Sequence, residues 1–245
     1  MHPHQIVSQE EWLAARKAHL AREKEFTRLR DELSAERRAL PWTRVEKSYA
    51  FDGPDGRQTL AELFDGRSQL MVYHFMLGPD WDAGCTGCSF LADHLDGTLP
   101  HLQHHDVSLT AVSRAPLDRI ERYKRRMGWQ FPWVSSHGSD FNHDFHVSFT
   151  PEDLAKGKVF YNFTEIDAAD ANDELPGLSA FYRDDKGGVF HTYSSYARGP
   201  EQLIGTLMML DRAPRGRNET TIMDWVRRHD EYDDAPKAVG QRAAS

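Results

Sequence analysis

Two cysteines separated by two residues lie between an apolar run and a stretch able to form a helix. Cys85 and Cys88 are the two cysteines of the chain, and the apolar residues 70–76 precede them. Free N–H groups at a helix N-terminus and the helix macrodipole stabilise a thiolate, and two thiols at this spacing can close a disulfide. The arrangement favours thiol–disulfide exchange, with Cys85 as the nucleophile and Cys88 as the thiol that resolves the mixed disulfide.

Other uses of this cysteine pair are open. The thiols could be inert and buried, or they could ligate a metal, although structural zinc needs four ligands and histidines would have to complete the set. A thiol peroxidase of the peroxiredoxin type needs Thr or Ser three residues before its reactive cysteine, and Asp82 stands there relative to Cys85. We therefore expect a dithiol–disulfide oxidoreductase without metal or cofactor. A thiol peroxidase, or a non-catalytic metal- or partner-binding module, ranks below it.

The charge and the apolar pattern limit the partners. A formal net charge of −8 argues against nucleic acid, because phosphate binding needs a basic surface. The longest apolar run is far shorter than the ~20 residues that span a bilayer, and the first residues show no apolar signal region. We therefore expect a cytoplasmic protein, not bound to membrane, whose partner is a thiol or disulfide on a protein or a small molecule. Structural disulfides are rare in the cytosol, which again favours reactive thiols.

The domain organisation is predicted in three parts: an N-terminal helical arm over 1–42, a central domain over 43–213 and a partly disordered C-terminal extension over 214–245. Ser8 and Glu11 form a capping box that starts a long helix over 8–40. Its apolar stripe recurs every seven residues, at Trp12, His19, Phe26, Leu33 and Leu40. Such a stripe packs against something, either the chain's own domain or a second copy in a homodimer.

The central domain alternates strand and helix signals. Strands are predicted at 47–51, 70–76, 107–112, 131–134, 178–182 and 189–193, and helices at 88–104, 116–127 and 200–210. Residues 138–176 are expected to be rich in loops, with one strand. Strands alternating with helices indicate parallel pairing, and the hairpin near the end adds antiparallel strands. The order predicts an α/β fold with a thioredoxin-like mixed sheet flanked by helices.

Four residues are predicted to contact the substrate beside the cysteines. Pro176 precedes the late hairpin, where a cis proline in a thioredoxin-like fold faces the cysteine pair and offers backbone groups to an incoming chain; we expect this role for it. Trp81 precedes the cysteine loop and is expected to be an aromatic side chain next to the site. Thr86 and Gly87 lie between the two cysteines.

Several longer motifs resemble a bacterial thioredoxin-like family of unassigned physiological role, described as predicted dithiol–disulfide oxidoreductases. The resemblance covers nearly the whole chain and rests on the motifs at 78–90, 113–116, 126–136, 140–142, 189–193 and 228–232. It implies a thioredoxin fold and a redox-active cysteine pair, but it implies no substrate. It also assigns no role to Arg114, Trp129 or Asn142.

Overall fold

The computed structural model describes residues 4–232 and divides into two units between Thr43 and Arg44. The first unit holds one helix, α1 (Gln9–Arg38), of 30 residues. Ser8 caps it as predicted, because the Ser8 hydroxyl accepts the Glu11 N–H while the Glu11 carboxylate accepts the Ser8 N–H. No side chain of α1 is buried within this unit, and its apolar stripe is exposed, with Phe26 at 65% and Leu33 at 48%.

The remaining elements follow in chain order. The strands are β1 (Thr43–Arg44), β2 (Ala50–Gly53), β3 (Gly56–Thr59), β4 (Gln69–His74), β5 (Val107–Ser113), β6 (Trp133–Ser135), β7 (Lys158–Tyr161), β8 (Thr164–Asp167), β9 (Gly177–Arg183) and β10 (Val189–Tyr196). The helices are α2 (Thr86–Ala92), α3 (Leu99–His104), α4 (Leu117–Met127), α5 (Phe141–Asp144), α6 (Pro151–Ala155) and α7 (Gly205–Leu210). No helix within residues 4–232 is both long enough and apolar enough to cross a membrane.

The second unit is built on a mixed sheet in the order β10-β9-β4-β5-β6-β2-β3. Strands β4, β5 and β6 pair in parallel, whereas β9 pairs antiparallel with both β4 and β10. A β-α-β unit whose first strand is also flanked by an antiparallel hairpin is the thioredoxin-like layout. The fold predicted from the sequence is therefore confirmed.

The sheet is covered on both faces, as the unbroken apolar character of β4 indicates. Tyr73 belongs to a cluster that also takes residues from α2, α4 and α7, whereas Leu70 and Val72 belong to a cluster on the opposite face. Residues of the segment 141–161 supply much of that second cluster. The C-terminal end of β4, where the cysteine loop begins, is therefore packed against α2 and α4.

Three sequence predictions are corrected. The helix expected over 88–104 is two short helices, α2 and α3, with a 3₁₀ turn at Asp96–Thr98 between them. The helix expected over 200–210 is a 3₁₀ turn, Gly199–Leu203, followed by α7. The irregular segment 138–176 holds two short helices and the hairpin β7–β8 where one strand was expected. Periodicity along the chain does not record where such short elements begin and end.

Candidate functional site

The cysteine loop returns to the end of β4 and starts α2. The Cys85 N–H donates to the Met76 carbonyl (3.0 Å), and Cys85 is the N-cap residue of α2. Gly84 is required beside it, because a Cβ at this position would lie 2.5 Å from Phe75 Cε1 and 2.7 Å from Tyr123 Cε1. The loop is therefore pressed onto the aromatic core, and the Cys85 side chain remains half-buried.

A cavity of about 250 Å³ is lined by both cysteines, and we call it the Cys85 cavity. It is bounded by α2, the loop before β9, the turn after β10 and the C-terminal segment 219–232, which we call the C-terminal strap. Its lining consists of Tyr73, Cys85, Gly87, Cys88, Leu91, Pro176, Ala197, Arg198, Pro200, Glu201, Ile204, Ile222 and Met223. Three of the predicted site residues besides the nucleophile therefore share one cavity with it: Cys88, Gly87 and Pro176.

Hydrogen bonds lower the pKa of Cys85 to about 6. The Cys88 thiol is the largest contributor, because it donates to the Cys85 sulfur; burial acts in the opposite direction. The backbone N–H groups of Cys88 and Gly87 also donate to that sulfur, and the positive charge of Arg228 adds to their effect. Cys85 is thus largely a thiolate at neutral pH, the form that attacks disulfides.

The pKa of Cys88 is raised well above that of a free thiol. Burial is the main cause, since Cys88 is 3% exposed, and the hydrogen bond to Cys85 and the negative charge there act in the same direction. The Tyr73 hydroxyl and the Met76 N–H donate to the Cys88 sulfur and oppose this rise. The two thiols are therefore unequal: Cys85 is ionised and half-buried, and Cys88 is protonated and fully buried.

A chain of hydrogen bonds encloses the Cys85 backbone. The Arg228 guanidinium donates to the Gly84 carbonyl (2.7 Å from Nη2) and to the Tyr123 hydroxyl (3.0 Å from Nε). The Tyr123 hydroxyl lies 2.8 Å from the Ser89 Oγ, and Ser89 donates to the Cys85 carbonyl (2.8 Å). The strap, α4 and α2 thereby meet at the nucleophile.

Pro176 lines the cavity as expected. Its peptide bond is trans, like every peptide bond within residues 4–232. The expected cis form is therefore wrong. The Pro176 carbonyl accepts the Tyr161 hydroxyl (2.7 Å), and that hydroxyl accepts the Ala197 N–H (2.7 Å). The tyrosine from the inserted hairpin thus ties the loop before β9 to the turn after β10.

A buried ion pair anchors the residues before Pro176. The Arg114 Nε lies 2.5 Å from the Glu174 Oε1, and the Ser148 hydroxyl donates to Glu174 Oε2 (2.6 Å). Burial raises the pKa of Glu174 to about 7, against the opposing charge of Arg114. Arg114, a residue without an assigned role in the sequence, therefore holds the loop that carries Pro176.

Two predicted substrate contacts lie elsewhere. Trp81 and Asp82 line a separate small hollow with the arginines Arg119, Arg122 and Arg126, and the Trp81 ring packs beside Gly78. Thr86 is half-buried in the first turn of α2 and does not line the Cys85 cavity. Neither residue therefore lines the cavity that Cys85, Gly87, Cys88 and Pro176 share, and the loop places Trp81 against α4.

The residues with unassigned roles in the sequence motifs are structural. The Trp129 Nε1 donates to Asp93 (2.8 Å), which also contacts His229 of the strap (2.7 Å). The Asn142 Oδ1 accepts the Ser136 hydroxyl (2.8 Å). Within residues 4–232, no group of three or more His, Cys, Asp or Glu side chains is placed to hold a metal ion.

Sequence reasoning missed the residues that complete the site from a distance. Tyr73 and Met223 line the cavity. The Tyr161 hydroxyl hydrogen-bonds two residues of the lining, Pro176 and Ala197, and Arg228 donates to the Gly84 carbonyl beside Cys85. Of these four residues, only Arg228 belongs to one of the sequence motifs named above, as the first residue of 228–232. Nothing in that motif linked it to a cysteine loop more than a hundred residues earlier.

Several solved structures are similar to this chain at low sequence identity. A peroxidoxin, BcpB, from Mycobacterium tuberculosis has a TM-score of 0.41 at 13% identity, covering 69% of this chain and 97% of that chain. A mutant of peroxiredoxin Q from Xanthomonas campestris has a TM-score of 0.43 at 13% identity, covering 69% and 98%. A putative thiol:disulfide interchange protein, DsbE, from Chlorobium tepidum has a TM-score of 0.42 at 10% identity, covering 70% and 96%.

The family is shown by a profile that matches residues 1–232. The chain belongs to the family described as bacterial protein of unknown function, DUF899. None of the curated proteins compared with the chain matches it significantly.

Proposed function

We propose that this DUF899 protein is a dithiol–disulfide oxidoreductase in which Cys85 attacks the substrate and Cys88 resolves the mixed disulfide. One observation carries the proposal: a half-buried thiol that lines a cavity, with a pKa of about 6, accepts a hydrogen bond from a fully buried thiol whose pKa is raised. Inert structural thiols do not require different pKa values, whereas disulfide exchange uses an ionised thiol to attack and a second thiol to resolve the mixed disulfide.

In the first step the Cys85 thiolate attacks one sulfur of the substrate disulfide. The substrate S–S bond breaks, a Cys85–substrate disulfide forms, and the first leaving thiolate takes a proton from solvent. Because Cys85 is ionised at neutral pH, no base is needed for this step.

In the second step Cys88 becomes the nucleophile. Once Cys85 is in a mixed disulfide its negative charge is gone, and with it one cause of the raised pKa of Cys88. The Tyr73 hydroxyl and the Met76 N–H still donate to the Cys88 sulfur and stabilise its thiolate. The Cys88 thiolate attacks the Cys85 sulfur, its proton passes to the second leaving thiolate, and the protein disulfide forms. Two electrons have moved from the protein to the substrate, and the two product thiols have taken one proton from solvent and one from Cys88.

The test is the pH dependence of Cys85 alkylation. We expect the rate of reaction of the reduced protein with iodoacetamide to rise through an inflection at about pH 6, whereas an unperturbed thiol inflects at about pH 8.5. With a model disulfide, the Cys88→Ser variant accumulates a mixed disulfide on Cys85, and the unmodified protein forms the Cys85–Cys88 disulfide. Mass spectrometry of the intact protein distinguishes these products.

The Cys85→Ser variant is the matched control. It keeps the buried Cys88 and should form no adduct with the same disulfide. An inflection at the ordinary thiol pKa, or the absence of an internal disulfide in the unmodified protein, rejects the proposal. Consumption of hydroperoxide that is far faster than disulfide exchange and depends on Cys85 assigns the site to a thiol peroxidase instead.

A further inference from the structure

Apart from the Cys85 thiolate itself, the lining of the Cys85 cavity carries no unpaired charge. Its two charged side chains, Arg198 and Glu201, pair with each other at 2.5 Å, and Arg217 also contacts the Glu201 carboxylate. The hydrogen bond from Arg198 lowers the pKa of Glu201, so this carboxylate stays ionised within its pair. The rest of the wall beyond the cysteines is mainly apolar and includes Leu91, Ile204, Ile222 and Met223. An ionic substrate would lose hydration here without gaining a partner.

The size of the cavity matches a small molecule. A cavity of about 150 Å³ lined by aliphatic and aromatic side chains is large enough to bind benzene, and the Cys85 cavity measures about 250 Å³. It therefore admits an alkyl or aryl group somewhat larger than benzene beside the Cys85 sulfur. Ile222 and Met223 of the strap form one wall of this space.

The backbone around Pro176 is poorly placed to bind a polypeptide. A substrate chain that adds to a strand edge needs free N–H and C=O groups. Here the Leu175 N–H donates to Val147 (2.8 Å), the Pro176 carbonyl accepts Tyr161, and the Ala197 N–H donates to Tyr161. Three backbone groups on either side of the cavity are thus already hydrogen-bonded within the protein.

We propose that the substrate of the cysteine pair is a neutral, apolar disulfide of low molecular weight that binds in the Cys85 cavity. The inference rests on the proposed function and names its substrate class. One alkylthio group of the disulfide occupies the cavity and becomes bonded to Cys85, while the other leaves as a thiolate. Attack by Cys88 then releases the bound group as the second thiol, and an external dithiol restores the reduced protein.

The experiment compares three disulfides in single turnover with the reduced protein. The probes are dipropyl disulfide, which is neutral; 3,3′-dithiodipropionate, which carries two carboxylates; and insulin, a disulfide-bonded protein. Each rate constant is divided by that of the same probe with free dithiothreitol, which removes differences in intrinsic reactivity. We expect the normalised rate for dipropyl disulfide to exceed the other two by about tenfold, equivalent to about 1.4 kcal/mol.

A charge on the cavity wall supplies the structural test. Ile222 is 59% exposed, so Ile222→Lys is tolerated by the fold, and it should lower the dipropyl disulfide rate and raise the dithiodipropionate rate. Met209→Lys is the matched control, because Met209 is 75% exposed and does not line the cavity. It should leave both rates unchanged.

The outcomes separate the two proposals. If none of the three probes converts the cysteines to their internal disulfide, the proposed function fails. If exchange occurs but dithiodipropionate or insulin reacts as fast as dipropyl disulfide after normalisation, the substrate class is wrong and the function stands. Equal effects of Ile222→Lys and Met209→Lys also overturn the assignment of the cavity.

Discussion

At the scale of single residues, Arg228 connects the C-terminal strap to the loop that carries the nucleophile Cys85. Its guanidinium is 19% exposed and lies between the Gly84 carbonyl, the Tyr123 hydroxyl and the Glu231 carboxylate. A cation held this close in a partly desolvated place favours the thiolate form of Cys85. Arg228 is therefore a positioning residue that also contributes charge.

We expect Arg228→Gln to raise the pKa of Cys85, because the glutamine keeps a hydrogen-bonding side chain but removes the positive charge. The alkylation rate then falls near pH 6 and is unchanged well above pH 8.5, where Cys85 is ionised in both proteins. The measurement is the pH profile of the iodoacetamide reaction.

Two further variants separate charge from packing. Arg228→Lys keeps the charge and should restore most of the original profile, and Arg227→Gln removes the neighbouring exposed guanidinium and should leave it unchanged. If Arg228→Gln lowers the melting temperature without moving the inflection, the residue is merely structural.

At the scale of elements, the loop before β9 is held by a charged pair that is almost fully buried. Glu174 is 1% exposed, and its ion pair with Arg114 links the end of β5 to the residues before Pro176. Removing one partner of such a pair leaves the other charge without compensation, which is costly unless that group can become neutral. Glu174 can do so by binding a proton, which makes the cost depend on pH.

We expect Arg114→Gln to destabilise the protein more at high pH than at low pH. The pKa of Glu174 is raised to about 7 in the folded protein, above its ordinary value of 4.5 in the unfolded chain. The stability that this difference contributes is complete below about pH 4.5 and is lost as the pH rises through 7. Without Arg114 that pKa rises further, and the loss extends to higher pH. The free energy of unfolding in urea should fall by about 1 kcal/mol near pH 5.5 and by about 3 kcal/mol near pH 8.5.

Arg122→Gln serves as the control for this prediction, because Arg122 forms an ion pair with Asp118 that is 72% exposed on both sides. Its effect should be small and nearly independent of pH. A penalty for Arg114→Gln that is equal at the two pH values would contradict the proposed titration of Glu174.

At the scale of the whole molecule, α1 carries an apolar stripe that its own unit leaves uncovered. Trp12, Phe26 and Leu33 are each about half exposed or more within that helix. Apolar residues at a seven-residue spacing are those that pack between two helices. We propose that this stripe pairs with a second copy of the chain, which is one of the two alternatives that the sequence leaves open.

The double variant Phe26→Lys and Leu33→Lys should convert the dimer to a monomer, because four lysines would face each other across the seam. The molar mass in solution, measured by light scattering, should halve. Thr27→Lys with Ser34→Lys places the same charges one position further along the helix and should leave the mass unchanged. A monomeric unmodified protein at all accessible concentrations would exclude the dimer.

Features that depend on neighbours in the chain were predictable from the sequence. The capping box at Ser8 and Glu11 starts α1, the unbroken apolar run makes β4 a strand buried on both faces, and the turn at 184–188 closes the β9–β10 hairpin. Strands alternating with helices, followed by that hairpin, then determine the thioredoxin-like order of the sheet. The proposed chemistry of the cysteine pair starts from its place at the beginning of α2.

Only the tertiary structure decided what surrounds the pair. Arg228 reaches Gly84 across 144 residues, Tyr161 from the inserted hairpin holds Pro176, and Met223 closes the cavity. It also placed Trp81 in a separate hollow beside α4 and kept Pro176 trans. The physical reason is that a thiol's pKa and a cavity's walls are set by charges, donors and surfaces a few ångströms away in space, and spacing along the chain carries no record of those distances.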